Sequence, residues 1–173
     1  MNVVVVQEVD APNGVTPICW ILLTSLPTGT FEDALQVIED YENRWLIEEY
    51  HKVLKTGCNL EVHALRTSDR LEPLVGLISV IGVRLFQMKL IGRNQPSVQA
   101  STHVPSSWLR CLALVETKLE VATMTVYTFF REIAKLGGFL ARKGDGEPGW
   151  QTVWRGYQTL QSLLDGMRLA GAV

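Results

Sequence analysis

Cysteine is scarce in this sequence: Cys19, Cys58 and Cys111 are odd in number and widely spaced. That spacing excludes a disulfide framework and the paired ligands of a zinc site, and it predicts reduced, mostly buried thiols in a cytosolic protein. Net charge is nearly absent as well, with 16 Lys and Arg against 18 Asp and Glu. A chain so balanced does not hold nucleic acid by bulk charge, so any nucleic-acid partner must be met by a local patch. Long hydrophobic runs are also missing. The most apolar stretch, Pro73 to Val83, is too short to span a bilayer, and the N-terminal MNVVVVQEVD has neither the basic region nor the cleavage site of a signal peptide. These absences point to a soluble, cytoplasmic protein with no membrane partner. No repeat or low-complexity segment is apparent. What is present is 173 residues that are 47% hydrophobic, enough to bury a substantial core.

Two apolar runs, Val3 to Val6 and Ile18 to Leu23, flank the turn-rich Asp10-Ala11-Pro12-Asn13-Gly14. They predict two strands, and because neither run alternates, a sheet covered on both faces. Two strands alone do not make a buried sheet, so they pair with another chain or with sheet lying outside this sequence. Thr30 with Asp33 forms a capping-box pattern, and no Pro or Gly interrupts Phe31 to Lys55 before Gly57. One helix of about 25 residues follows from this. Further helices are expected over Leu71 to Ile91, Trp108 to about Thr123, Val126 to Leu136 and about Trp150 to Leu169, with loops at Gly92 to Ser107 and Arg142 to Gly149. The fold class is α+β and mostly helical.

On the long helix, Tyr41, Arg44, Glu48, Lys52 and Lys55 fall on one face, opposite an apolar stripe of Leu46, Ile47, Tyr50, Val53 and Leu54. The polar face admits two explanations. It is a solvated surface carrying i,i+4 ion pairs, or Glu48 is a hard oxygen ligand for Mg²⁺ among cations that hold phosphates. One carboxylate alone does not make a metal site.

The pattern Tyr41-x2-Arg44-x3-Glu48-x6-Lys55, with Lys52 inside it, resembles the signature of DDE transposases of the insertion-sequence-4 family, the Tn-five-like group. Thr16 to Ser25 resembles the strand before that helix, and Arg44 to Gly57 is similar nearly residue for residue. Leu136-Gly137-Gly138-Phe139 and Leu160 to Gly166 are similar to the family's C-terminal block. The resemblance implies that residues 1–66 are the C-terminal part of a ribonuclease H-like catalytic domain, and 67–173 a helical dimerisation region. Glu48 then matches the catalytic, metal-binding glutamate that joins two aspartates around two Mg²⁺ ions. Tyr41, Arg44, Lys52 and Lys55 match DNA phosphate contacts, and Trp20 the tryptophan that stacks on a flipped base. Trp20 alone is otherwise an ordinary core residue of an apolar strand. Trp154, Tyr157, Leu160 and Leu164 are candidate dimer contacts or, equally, an intrachain core.

In the family both catalytic aspartates precede the stretch where this sequence begins, and Asp10 matches neither. The resemblance therefore implies the C-terminal portion of a cut-and-paste transposase, bacterial and DNA-associated, inactive alone. An alternative is a non-catalytic module that dimerises with full-length transposase and inhibits it. The implied partners are transposon-end DNA and a second transposase chain. Apolar strand edges without their sheet predict poor solubility or enforced dimerisation.

Other motifs are weaker. Glu48-x-x-His51 is half of a di-iron pattern with no second half. Cys58 and His63 lack two further zinc ligands. Gly137-Gly138 is a helix stop rather than a phosphate loop, since no Lys-Ser/Thr follows. Arg131, Lys135, Arg142 and Lys143 are a solvated basic face or a contact to DNA backbone.

Overall fold

A computed structural model of the chain describes residues 1–62, 65 and 67–171. It contains two compact units, Met1–Glu49 and Tyr50–Val173. The division falls earlier than the boundary at 66/67 because Val53, Leu54 and Cys58 are buried, as part of the helical unit.

In the first unit, β1 (Asn2–Gln7) and β2 (Cys19–Thr24) pair antiparallel, with Val4 opposite Leu22 and Val6 opposite Trp20. The intervening loop is tied at its base: Glu8 N–H donates to the Ile18 carbonyl at 2.8 Å, and Ile18 N–H to the Glu8 carboxylate at 3.0 Å. Helix α1 (Phe31–Glu42) begins at Thr30 with a reciprocal capping box, Asp33 N–H to Thr30 Oγ1 at 3.1 Å and Thr30 N–H to Asp33 Oδ2 at 3.0 Å. Val4, Leu22 and Val37 form this unit's core, with Val6, Trp20, Ala34 and Ile38 around it. The sheet is therefore covered on one face only. Val3, Val5, Ile21 and Leu23, which alternate with the buried positions, are exposed, contrary to the two-sided burial their continuous apolar run predicts.

The single 25-residue helix is also corrected. Asn43 separates α1 from α2 (Arg44–Lys52), and a π-helical turn, Val53–Gly57, follows. The Asn43 backbone N–H and its side-chain amide both donate to the Glu39 carbonyl, at 3.2 and 3.0 Å. A short amide that binds backbone locally offers the chain an alternative to the helical ladder. Of the apolar stripe, Val53 and Leu54 are buried, Leu46 and Tyr50 half-buried, and Ile47 exposed.

The second unit is helical: α3 (Ser68–Asn94), α4 (Ser106–Val115), α5 (Val126–Leu136) and α6 (Trp150–Leu169). The bounds of α5 and α6 agree with the sequence pattern, whereas α3 is longer at both ends. Helix α4 stops at Val115 instead of near Thr123. There Glu116 is extended, and the chain beyond returns to pair with the 98–100 segment, Ala100 N–H donating to Met124 O at 2.8 Å and Val126 N–H to Val98 O at 2.9 Å. That pairing competes with further helix, and the β-branched Val115 and Thr117 lower the cost of leaving it. Helix α3, at 27 residues, is long and apolar enough by length and composition to cross a membrane, a property hidden when Pro73 to Val83 is taken alone.

Helix α6 crosses α5 without room for side chains between them. A Cβ on Gly156 would overlap the Ile133 carbonyl, and one on Gly137 the Thr152 carbonyl. The flanking core is Phe129, Ile133, Val153, Leu160 and Leu164, all fully buried. Trp150 sets its ring edge-on to Phe86 and Phe130, each at 6.1 Å, a geometry aromatic quadrupoles favour. Gly137 and Gly138 end α5, with Gly138 at φ +98° and Phe139 N–H returning to the Ala134 carbonyl at 3.0 Å.

Two measurements check this packing. Gly156→Ala should lower the unfolding free energy by about 1–3 kcal/mol through overpacking. Gly166→Ala, in the same helix with open space around its Cα, should raise it by about 0.5–1 kcal/mol; equal effects in a denaturant titration would refute the close crossing. Thiol labelling at pH 8 should modify Cys19 alone in the native protein. Cys19 is exposed, while Cys58 and Cys111 are buried and burial pushes the Cys58 thiol up to about 11. Rapid loss of all three thiols without denaturant would contradict it.

Candidate functional site

The first unit brings Trp20, Tyr41, Arg44 and Glu48 into a row. The half-buried Trp20 ring meets Tyr41 edge-on at 5.2 Å, the Arg44 guanidinium lies 5.3 Å from the Tyr41 ring centroid, and Arg44 Nη1 bonds Glu48 Oε1 at 2.5 Å. Strand register explains the first contact: Trp20, two residues before Leu22, shares the sheet face that α1 covers. Helical spacing explains the last, since residues four apart on α2 are neighbours. A groove of about 550 Å³ is lined by Trp20, Tyr41, Glu42, Arg44 and Trp45. Glu42 and Trp45 are the members that site reasoning from sequence passed over. For Trp45 the signal was there: a tryptophan beside Arg44 on a helix whose apolar stripe it does not join.

Such a groove offers two π-faces that accept a nucleobase and a guanidinium that accepts a phosphate. A second groove, about 590 Å³ and mainly apolar, runs between β2 and α1, from Ile21 and Leu23 to Val37 and Ile47.

Lys52 and Lys55 lie in the second unit. Lys55 is ion-paired with Glu61 at 3.6 Å. His51, three residues after Glu48, sets its ring 5.7 Å from that of Tyr50. Among the described residues no three His, Cys, Asp or Glu side chains converge as metal ligands, and Glu48 is held by Arg44. The residues present do not by themselves fit a Mg²⁺ centre, because divalent magnesium requires several hard oxygen donors. Cys58 is buried, and His63 lies outside the described residues.

The basic residues of the helical unit have acidic neighbours. Arg131 pairs with Glu147 at 3.3 Å, Lys135 with Glu132 at 2.5 Å and Arg142 with Asp145 at 3.4 Å. Such pairing is what a solvated face carries, and it leaves less net positive field than a count of bases suggests.

The four candidate dimer residues divide into two pairs. Leu160 and Leu164 are fully buried within the chain, because their helical positions adjoin Val153 and Gly156 on the side of α6 that meets the core. They belong to the intrachain core rather than to a contact surface. Trp154 and Tyr157 are half-buried and stack on each other at 5.7 Å, with Tyr157 also edge-on to Trp108 at 5.6 Å. Burial raises the Tyr157 phenol above its ordinary pKa.

Residues 80–173, more than half of the chain, match the family model of the transposase Tn5 dimerisation domain. The match begins within α3 and takes in α4, α5 and α6. The chain belongs to this family of transposase dimerisation domains.

The exposure of Arg44 and Glu48 sets a limit on what their pairing does for the fold. With both side chains more than half exposed, the bond stabilises by at most about 1 kcal/mol. Glu48→Ala should therefore leave the chain folded, with a loss no larger than that by denaturant titration. A loss of several kcal/mol would assign Glu48 to structure rather than to a site.

Proposed function

We propose that the chain is the C-terminal portion of a DDE transposase, combining the last part of a ribonuclease H-like catalytic domain with a helical unit that dimerises. The observation carrying this is the dimerisation-domain match over residues 80–173. The Trp20, Tyr41, Arg44 and Glu48 row upstream of it supports the catalytic part, since it is the arrangement the sequence resemblance implies. In this reading Glu48 is one carboxylate of a Mg²⁺ site, and among the described residues no three such ligands converge. Tyr41, Arg44, Lys52 and Lys55 bind phosphates of transposon-end DNA, and Trp20 stacks on an unpaired base. The protein acts in the bacterial cytoplasm, on DNA.

Arg44 is the hinge of this chemistry. Its Nη1 bonds Glu48 Oε1 at 2.5 Å. A phosphate drawing on the guanidinium would compete with the Glu48 carboxylate for Arg44.

A second reading rests on the dimerisation-domain match alone. The isolated chain would then be a dimerisation module that sequesters full-length transposase in inactive mixed dimers. A strand-cleavage assay on transposon-end DNA with Mg²⁺ tests both. The purified chain should not cleave, and robust cleavage would overturn the claim that its metal site is incomplete. Placed in a complete transposase, Glu48→Ala should abolish cleavage and leave end binding intact, whereas Lys52→Ala and Lys55→Ala should weaken binding and lower the salt slope by about 1 each. Inhibition of a complete transposase on adding the purified chain would favour the second reading.

A further inference from the structure

The loop between β1 and β2 holds Asn13 directly before Gly14. Its base is pinned, by Glu8 N–H on the Ile18 carbonyl at 2.8 Å and by Ile18 N–H on the Glu8 carboxylate at 3.0 Å. Beyond that base one turn bond orders Asn13 and Gly14, from Val15 N–H to the Pro12 carbonyl at 3.0 Å. Gly14 takes φ +83°, in the left-handed region that glycine favours, and a Cβ built on it would meet nothing within 4 Å. Among the described residues neither the Gly14 N–H nor the Asn13 side-chain amide makes a hydrogen bond. A turn held by a single bond opens at little free-energy cost, and the pinned base lets it open while the strands stay paired.

Four other asparagines are present, Asn2, Asn43, Asn59 and Asn94, and each precedes a residue with a side chain. Asn2 and Asn43 also commit their amides to backbone carbonyls, of Leu26 at 2.7 Å and of Glu39 at 3.0 Å. Two aspartates precede glycine, but Asp145 accepts from the Arg142 backbone at 2.8 Å and Asp165 from the Arg168 guanidinium at 3.1 Å. A carboxylate is in any case a poorer electrophile than an amide.

We propose that Asn13 is a site of self-modification, where the folded chain converts its own side-chain amide to a carboxylate. The Gly14 nitrogen attacks Asn13 Cγ. The N–Cγ bond forms, the Cγ–Nδ2 bond breaks, and ammonia leaves with the proton of the Gly14 amide. Water then opens the resulting cyclic imide at either carbonyl. Opening at Cγ leaves an aspartate at position 13, and opening at the main-chain carbon leaves an isoaspartate, whose backbone runs on through Cβ and Cγ. The reacting atoms belong to two neighbouring residues, so the step needs no open face, no partner and no oxidant, only freedom of the turn. Either product adds one negative charge to a formal net charge of -2, in a loop that already carries Glu8 and Asp10. Asparagine is thermolabile through chemistry of this kind.

Peptide mapping of the folded 173-residue chain, held at pH 8 and 37 °C, tests this. Asn13 should lose its amide several-fold faster than Asn2, Asn43, Asn59 or Asn94, with an acidic shift of one charge in isoelectric focusing and unchanged circular dichroism. The isoaspartate fraction should accept a methyl group from an isoaspartyl methyltransferase, on the same peptide. Raising the pH should speed the loss, because the attacking nitrogen must shed its proton. Gly14→Ala should slow it several-fold by placing a methyl group beside that nitrogen, and Asn13→Gln should keep its amide, because the larger ring closes more slowly. An Asn13 still amidated in the folded chain when the same chain in guanidinium chloride has converted would overturn the site. So would a Gly14→Ala chain that converts as fast as the parent, or equal loss at every asparagine.

Discussion

The crossing of α5 and α6 at Gly137 and Gly156 is the constraint on which the helical unit depends. Because neither position has a Cβ, backbone meets backbone, and the neighbouring turns bring Ile133, Phe129, Val153 and Leu160 into full burial. Interiors packed to crystal density transmit such a contact outward. Fixing α6 also fixes Trp150 at its first turn, where the indole separates Phe86 from Phe130 and receives the Lys89 ammonium at 4.5 Å. It decides which side of α6 remains outward as well. Leu160 and Leu164 are consumed by the core, and the Trp154 and Tyr157 stack is what is left for other contacts.

Elements closed by strong local signals were legible in the sequence. Thr30 with Asp33 and the two glycines after Leu136 each satisfy helix-end groups through their own chemistry, so those bounds follow from neighbours alone. The errors share a cause, which is competition from interactions the pattern does not contain. Asn43 is a polar residue in a helical run until its amide is seen on the Glu39 carbonyl. Val115 to Thr123 keeps helical periodicity, but pairing with the 98–100 segment draws the chain out of it. The Val3 to Val6 run carries no alternation because both faces are apolar, so which face α1 covers was not written in hydropathy.

The candidate site was legible as a set of residue types and less so as an arrangement. Spacing alone pairs Arg44 with Glu48, and the structure makes that bond. The Trp20 and Tyr41 contact joins a strand to a helix and depends on strand register, which a one-residue slip would reverse. Trp45 entered the groove without having been singled out, because an exposed aromatic is conspicuous only once its surroundings are known.

Helix α3 has a consequence for how the protein is made. It emerges from the ribosome well before α5, which packs against it with Tyr127 at Gly92. At ~5–20 residues per second, the stretch from Asn94 to Leu136 takes several seconds to synthesise. During that interval the side of α3 that α5 will cover is exposed, while Val53 and Leu54, made earlier, can already pack at Gly82. Helix α5 is the element that ends this exposure, so a chain truncated before α5 would leave that side of α3 open to chaperones.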